Sequence, residues 1–169
     1  MKNILVLSFL SLLMLTACNN QGQKIGYIEV FKVYDEFELK KIKETEFKQV
    51  ENQRKLVLDS LRLNLQMLEN KLKLQSKVTK EQEALFGNKY NQYQLKEREL
   101  TENNKALAAK LEDEIFTQLN QYVKEYGDEN GYDFILGGNG SGTIMQAKES
   151  NDLTEEMIQY VNSRFNGKK

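Results

Sequence analysis

The chain has 169 residues with nearly balanced charge, 24 basic against 25 acidic side chains, and it contains one cysteine, no histidine and no proline. One cysteine excludes an internal disulfide framework, and the lack of histidine excludes a His/Cys metal site. A pI of about 5.7 argues against nucleic acid as the partner. No nucleophile–base constellation is available without histidine, so we expect neither enzymatic activity nor a cofactor.

The first 17 residues have the features of an export signal. Lys2 precedes an apolar run over residues 4–15 that is too short for a typical membrane span. The sequence LTAC that follows resembles a bacterial lipobox, which predicts acylation of Cys18 as the first mature residue. Residues 18–23 then form a short polar tether. The alternatives are an ordinary signal peptide with a chance cysteine and an uncleaved anchor.

Short elements flank a long central segment. Residues 24–30 (KIGYIEV) predict a strand and residues 31–37 a short helix. After the central segment, residues 132–136 and 143–147 predict a β-hairpin joined by the glycine-rich turn GGNGSG. This turn lacks the lysine and hydroxyl residue of a phosphate-binding P-loop. Asp152 and Glu155 predict a capping box for a closing helix, and Asp133 is expected at the surface.

The central segment, residues 38–130, predicts two long antiparallel helices over 38–75 and 80–130. Thr79 and Gln82 predict a capping box at the start of the second helix. The first helix has a coiled-coil seam with steps of three and four residues, extended by Phe47 and Arg54. The seam consists of Leu58, Leu61, Leu65, Leu68 and Leu72. The second helix keeps the same stepping through Phe86, Tyr90, Tyr93, Glu97, Leu100, Asn104, Leu107 and Leu111.

The polar residues Glu97 and Asn104 interrupt this second seam, where they weaken packing and fix register. Charge supports antiparallel pairing. Residues 38–80 carry eleven basic and six acidic side chains, a net +5, whereas residues 81–130 carry six and eleven, a net −5. The predicted tip of the hairpin is basic because of Lys71, Lys73, Lys77, Lys80 and Lys89.

A second apolar stripe lies on another face of the first helix, at Leu56, Leu63, Met67 and Leu74. A two-helix hairpin needs one stripe only. The stripe is therefore either part of a wide seam, a contact for a third helix packed nearby, or a surface left accessible to a client. Burial of the stripe within the hairpin would favour a spacer protein, and a stripe facing a cavity would favour binding.

Three segments of the chain together resemble the Skp/OmpH family of periplasmic chaperones. They are the opening KIGYIEVFKVYDEF, the segment YDFILGGNGSGTIMQAKESND and the closing DLTEEMIQYVNSRF. The resemblance covers residues 24–165, and the long helices match in length and pattern. It implies a mainly α, α+β fold: a small β-rich body from residues 24–37 and 131–169, and a helical arm from residues 38–130.

The resemblance also implies a function. Three copies would join through their strands, and unfolded outer-membrane β-barrel proteins would be held between the arms without ATP. The assembly residues would be Ile25, Tyr27, Ile28, Val30, Phe134, Ile135, Leu136 and Ile144. The client-binding residues would be Leu56, Leu63, Met67, Leu74, Lys71, Lys73, Lys77 and Lys80. We expect a location in the periplasm, with Cys18 anchored in the outer membrane. The alternative is a coiled-coil lipoprotein that acts as a spacer or adaptor in the envelope.

Overall fold

A computed structural model describes residues 22–142 and 144–167. The predicted signal peptide and Cys18 lie outside the described residues. The elements follow one another as β1 (Ile25–Glu29), α1 (Val30–Glu36), α2 (Glu38–Lys73), α3 (Lys80–Asn130), β2 (Phe134–Gly138), a 3-10 turn (Glu149–Asn151) and α4 (Thr154–Phe165). The fold is therefore mainly α, as the sequence predicts.

The long helices α2 and α3 pack against each other as an antiparallel hairpin. The 51 residues of α3 give it a length of about 75 Å at ~1.5 Å per residue. The predicted capping box is present: the Thr79 hydroxyl accepts from the Gln82 backbone N–H, and the Gln82 side chain accepts from the Thr79 backbone N–H. At the other end, α3 stops at Gly131, whose φ of 65° is the left-handed conformation that glycine adopts without a steric cost.

Polar contacts join the two helices at the middle of the hairpin. The Arg54 guanidinium donates to the Asn104 side-chain oxygen in a partly buried pair. Nearer the tip, Arg62 donates to the Tyr93 hydroxyl at 3.2 Å, and that hydroxyl donates to Glu97 at 3.0 Å. These contacts hold one register because a slip of the helices would leave partly buried polar groups without partners.

The opposite net charges of α2 and α3 produce few direct ion pairs. Among the described residues, Lys43 and Glu114 form the one ion pair that joins the two helices, at 3.0 Å. Other pairs on the hairpin lie within one helix, such as Lys73 with Glu69. The opposite net charges of the two helices therefore contribute little direct pairing across the hairpin.

The sheet differs from the predicted β-hairpin. β1 and β2 pair in parallel, with Ile25 opposite Phe134 and Tyr27 opposite Leu136. The prediction of a second strand after the glycine-rich turn is wrong, because residues 144–147 form no strand. The strand that pairs with β2 is instead β1, from the start of the chain. Two hydrogen bonds join Lys24 and Asp133 just before the two strands: the Lys24 backbone N–H donates to the Asp133 carboxylate at 2.7 Å, and the Asp133 backbone N–H donates to the Lys24 carbonyl at 2.9 Å.

The core lies in the body at the base of the hairpin. Fully buried side chains include Val33, Phe37, Met157 and Val161, from α1, the α1–α2 junction and α4. The base of α3 adds a further set of buried residues to this cluster: Ile115, Leu119 and Tyr126. The last turns of α3 thus supply much of the apolar surface that the short terminal elements could not supply alone.

The closing helix α4 begins differently from the prediction. The Asp152 carboxylate accepts from the Thr154 backbone N–H at 2.9 Å, so it does satisfy a free donor of the first turn. Glu155 does not complete a capping box, because its carboxylate pairs with Lys32 instead. From the same helix, the Asn162 side chain accepts from the Glu38 backbone N–H at 2.8 Å and so caps the start of α2.

Tyrosine contacts between α3 and α4 predict an alkaline limit to stability. Burial, together with the hydrogen bond from its hydroxyl to Glu129, raises the pKa of Tyr160 from 10.0 to about 12. The folded state therefore favours the neutral phenol, and this stabilisation is complete below pH ~10 and is lost as the pH rises through ~12.

We expect Tyr160→Phe to lower the free energy of unfolding at pH 8 by about 1 kcal/mol, because the hydrogen bond to Glu129 is lost. Between pH 10 and 12, however, the free energy of unfolding should fall less steeply in this variant than in the wild type. Thermal unfolding followed by circular dichroism at pH 8, 10, 11 and 12 measures both effects. Tyr90→Phe, an exposed position on the hairpin, is the control. Equal alkaline slopes in Tyr160→Phe and wild type would contradict this assignment.

Candidate functional site

The second apolar stripe is exposed along its whole length. Leu56, Leu63, Met67 and Leu74 are 69%, 57%, 62% and 89% exposed. At ~100° of rotation per residue, the four side chains lie within about 20° of one line along the α2 axis. The mean direction of the seam leucines lies about 160° from this line, on the opposite side of the helix. The stripe is therefore neither a wide seam nor a contact for another helix of the described chain. We call these four residues the outer stripe.

A groove between α2 and α3 adjoins the outer stripe near the tip. It has a volume of about 520 Å³ and shares Met67 with the stripe. Its walls combine seam leucines with polar and aromatic residues of both helices: Leu61, Asn64, Leu65, Met67, Leu68, Lys71, Leu85, Lys89, Gln92 and Tyr93. We call it the tip groove. The sequence does not single out Leu85, because this residue lies off the predicted seam and belongs to no stripe.

The lysines of the tip surround this apolar surface. Lys71, Lys73, Lys77 and Lys80 are all exposed, and Lys73 pairs with Glu69 at 2.6 Å. Within the described chain, the other three form no ion pair. Next to them, hydrogen bonds to its own backbone and to Thr79 lower the pKa of the Glu81 carboxyl. The structure therefore exposes all eight residues that the sequence predicts for client binding, and they extend from the midpoint of α2 at Leu56 to the tip of the hairpin at Lys80.

The predicted assembly residues divide between the two faces of the sheet. On one face Ile25, Phe134 and Leu136 are 39%, 51% and 46% exposed, and Tyr27 is half-buried between them. These four form what we call the outer sheet face. It is an apolar surface that stays largely exposed in the described chain, except at Tyr27, whose side chain contacts Asp152.

The other predicted assembly residues point back into the chain. Ile28 is 3% exposed and belongs to the body core, so it has no surface to offer to a second copy. Ile135 lies against Gly127 of α3, and Val30 lies against Gly137. Ile144, in the loop after β2, approaches Gly138 at the end of that strand. Of the predicted assembly residues, those of the outer sheet face are therefore the most exposed.

Two further observations concern the described part of the chain. None of its helices combines the length and the apolar character needed to cross a membrane. Its aspartate and glutamate side chains form no cluster of three or more that could hold a metal ion.

These features define a class: a mainly α protein in which a small body carries a long two-helix arm with an exposed apolar surface. The chain belongs to the OmpH family, since the family model described as outer membrane protein (OmpH-like) matches residues 24–161. This confirms the resemblance to Skp/OmpH proteins found in the sequence. No curated protein sequence is significantly similar to the chain.

The fold is also similar to a solved structure from the bacterium Caulobacter crescentus CB15, described as that of an OmpH-like outer membrane chaperone. The TM-score is 0.74 with 16% sequence identity, and the match covers 85% of this chain and 86% of that one. At this identity the similarity establishes the common fold. The placement of individual side chains has to be argued from this chain alone.

Proposed function

We propose that this protein is an ATP-independent chaperone that holds unfolded envelope proteins against its helical arm. The observation that carries the proposal is the outer stripe, four large apolar side chains that are each more than half exposed on the side of α2 opposite the seam. Membership of the OmpH family supports a chaperone role, and so does the chaperone description given to the structurally similar protein.

The outer stripe has no structural purpose within the hairpin. An exposed row of leucine and methionine costs solubility, and such patches on soluble proteins mark sites of interaction. Methionine also adapts to varied partners because its unbranched side chain has several rotatable bonds. A surface of this kind suits clients that share apolar character without a common shape.

Assembly would multiply these weak contacts. In the proposal the outer sheet face joins three copies, whose arms then enclose a common space for unfolded outer-membrane β-barrel proteins. Several weak contacts on linked arms act at a high effective concentration, so binding tightens without any new contact. Acylation of Cys18 would hold the assembly at the outer membrane, facing the periplasm.

Suppression of aggregation tests the proposal. The chain starting at Asn19 retains every described residue and can be mixed, without nucleotide, with a urea-unfolded porin that is then diluted into buffer. We expect a threefold molar excess of the assembly to suppress light scattering. The fourfold variant Leu56→Ser, Leu63→Ser, Met67→Ser, Leu74→Ser should lose most of this effect while remaining folded, because all four side chains are exposed.

Leu95→Ser provides the matched control. Leu95 is 61% exposed on the opposite side of the hairpin, on α3, so this change removes exposed apolar surface outside the proposed site and should leave suppression intact. Wild-type protein that has no effect on scattering would reject the holdase. Capture of one folded envelope protein in pull-downs would then favour the spacer or adaptor function.

A further inference from the structure

The first residues of the body are fixed to the end of α3. The Lys24 backbone N–H donates to the Asp133 carboxylate at 2.7 Å, and the Lys24 ammonium donates to the Asn130 carbonyl at 2.8 Å. The same ammonium lies 4.0 Å from the centroid of the Tyr132 ring. These contacts, with the pairing of β1 to β2 that follows, hold Lys24 beside Asn130, the last residue of α3. The residues before Lys24 therefore leave the body at this point.

This exit point lies at the opposite end of α3 from the tip of the arm. α3 begins at the tip with Lys80 and ends at Asn130, a span of about 75 Å at ~1.5 Å per residue. Arg54, two residues before the outer stripe, contacts Asn104, which lies about 40 Å along α3 from Asn130. The outer stripe therefore lies roughly 40–75 Å from Lys24 along the arm.

The tether between Cys18 and this exit point is short. Five residues, 19–23, separate Cys18 from Lys24 in the sequence. Because a fully extended chain covers at most ~3.6 Å per residue, Cys18 stays within about 20 Å of Lys24 in every conformation of the tether. This reach is about half of the distance from Lys24 to the nearest part of the outer stripe.

From these lengths we propose that the lipid surface that holds Cys18 faces the Lys24 end of the body, and that the arms project away from it. The proposal rests on the acylation and the three-copy assembly of the proposed function. Three anchors related by a three-fold axis define a plane perpendicular to that axis, so three short tethers keep the assembly upright on the membrane. Inversion is excluded, since it would place Lys24 about 75 Å from the membrane, beyond the reach of the tether.

The orientation has a consequence for the client site. Exposed apolar helix surfaces with nearby lysines bind lipid surfaces, and the outer stripe with the tip lysines has this composition. In the upright assembly the anchor keeps this surface tens of ångströms from the membrane that holds Cys18, so it stays free in water. A client is then taken up from the aqueous side, and it has to leave the arms before it can enter that membrane.

Energy transfer to the membrane measures the orientation. Cys18 is the only cysteine and acylation blocks its sulfur, so one introduced cysteine takes a donor dye at one position. The acylated full chain carries Lys77→Cys at the tip or Asp128→Cys near the end of α3, both at exposed positions. It is inserted into the outer leaflet of phosphatidylcholine vesicles that contain an acceptor dye on the lipid headgroup. We expect at least about fivefold more transfer from Asp128→Cys than from Lys77→Cys, because roughly 70 Å of helix separates the two dyes.

A longer tether is the matched control. Insertion of about forty Gly/Ser residues after Gln23 adds a flexible chain with an average span of roughly 35 Å, so the assembly can turn and move away from the membrane. Transfer from Asp128→Cys should then fall several-fold while the anchor is retained. Equal transfer from the two dye positions, or more from Lys77→Cys, would overturn the proposed orientation. Unchanged transfer after the insertion would also overturn it, because contacts other than the tether would then hold the body at the lipid.

The outcomes also separate the orientation from the proposed function. Porin aggregation is measured with the chain starting at Asn19, which carries no lipid. If that chain suppresses aggregation and the tip dye lies at the membrane, the holdase stands and the orientation is wrong. If the vesicles do not retain the full chain, Cys18 is not acylated and the orientation fails without the holdase. If transfer follows the expected pattern and porin still aggregates, the orientation stands and the holdase fails.

Discussion

Phe37→Ala is expected to lower the free energy of unfolding by about 3–5 kcal/mol, a large part of the stability of a domain of this size. The Phe37 side chain is fully buried at the junction between α1 and α2. Its ring makes edge-on contacts with Tyr122 of α3 and Phe165 of α4, at centroid distances of 6.2 and 5.9 Å. Truncation would leave a cavity between three helices, and rigid packing on all sides would prevent the cavity from closing.

Phe31→Ala is the control, six residues earlier. Phe31 is 58% exposed, so its loss should change stability by no more than about 0.5 kcal/mol. Urea unfolding followed by tyrosine fluorescence is a suitable measurement. Of the eight tyrosines, Tyr90 and Tyr93 lie near the tip of the arm, and the other six lie in the body or at the base of α3 beside the core that contains Phe37. Equal losses in the two variants would contradict the assignment of Phe37 to the core.

The arm is the part of the fold that the sequence predicts best, because its determinants are local. The predicted start of α3 at residue 80 and its end at residue 130 agree with the structure, and α2 ends two residues before the predicted position. Thr79, Gln82 and Gly131 act within one turn of their own positions. The helical period places the seam leucines on one face of α2. Once the chain reverses at the turn, this face can pack only against the seam of α3, and the length of the turn fixes how the two helices align.

The sheet could not be predicted in the same way, since its pairing is non-local. Lys24 and Asp133, which start the paired segments, are 109 residues apart in the sequence. The glycine-rich turn after β2 suggests a hairpin with a strand that follows it. Only the structure shows that β2 pairs with β1, in parallel, and not with the predicted following strand. Side chains alternate between the two faces of a strand, so the sequence divides them into two sets. It does not determine which of the two sets packs against the core.

The outer stripe shows the same limit at the candidate site. Its helical period places Leu56 and Leu63 away from the seam, and the sequence predicts that much. Whether another element covers them depends on tertiary packing. In the structure no part of the described chain does so. The sequence thus identifies the residues of the site, and the fold supplies their exposure, which is the property that a binding surface requires.

A pair of aspartate substitutions should separate folding from assembly. In Ile28→Asp a charge replaces a side chain that is 3% exposed in the body core. An unpaired buried charge destabilises by at least about 3–5 kcal/mol, so we expect the body to unfold at any protein concentration. Circular dichroism at 20 °C should show the loss of ordered structure, and sedimentation velocity should show no assembly.

In Leu136→Asp the new charge lies on the outer sheet face, where Leu136 is 46% exposed. Water can solvate it in a single copy but not beneath a second one. We therefore expect a folded monomer whose circular dichroism matches the wild type, and whose apparent stability no longer rises with protein concentration. If Leu136→Asp sedimented as the wild-type oligomer, the outer sheet face could not be the site of assembly. A folded Ile28→Asp would equally contradict the placement of Ile28 in the core, where its side chain is 3% exposed.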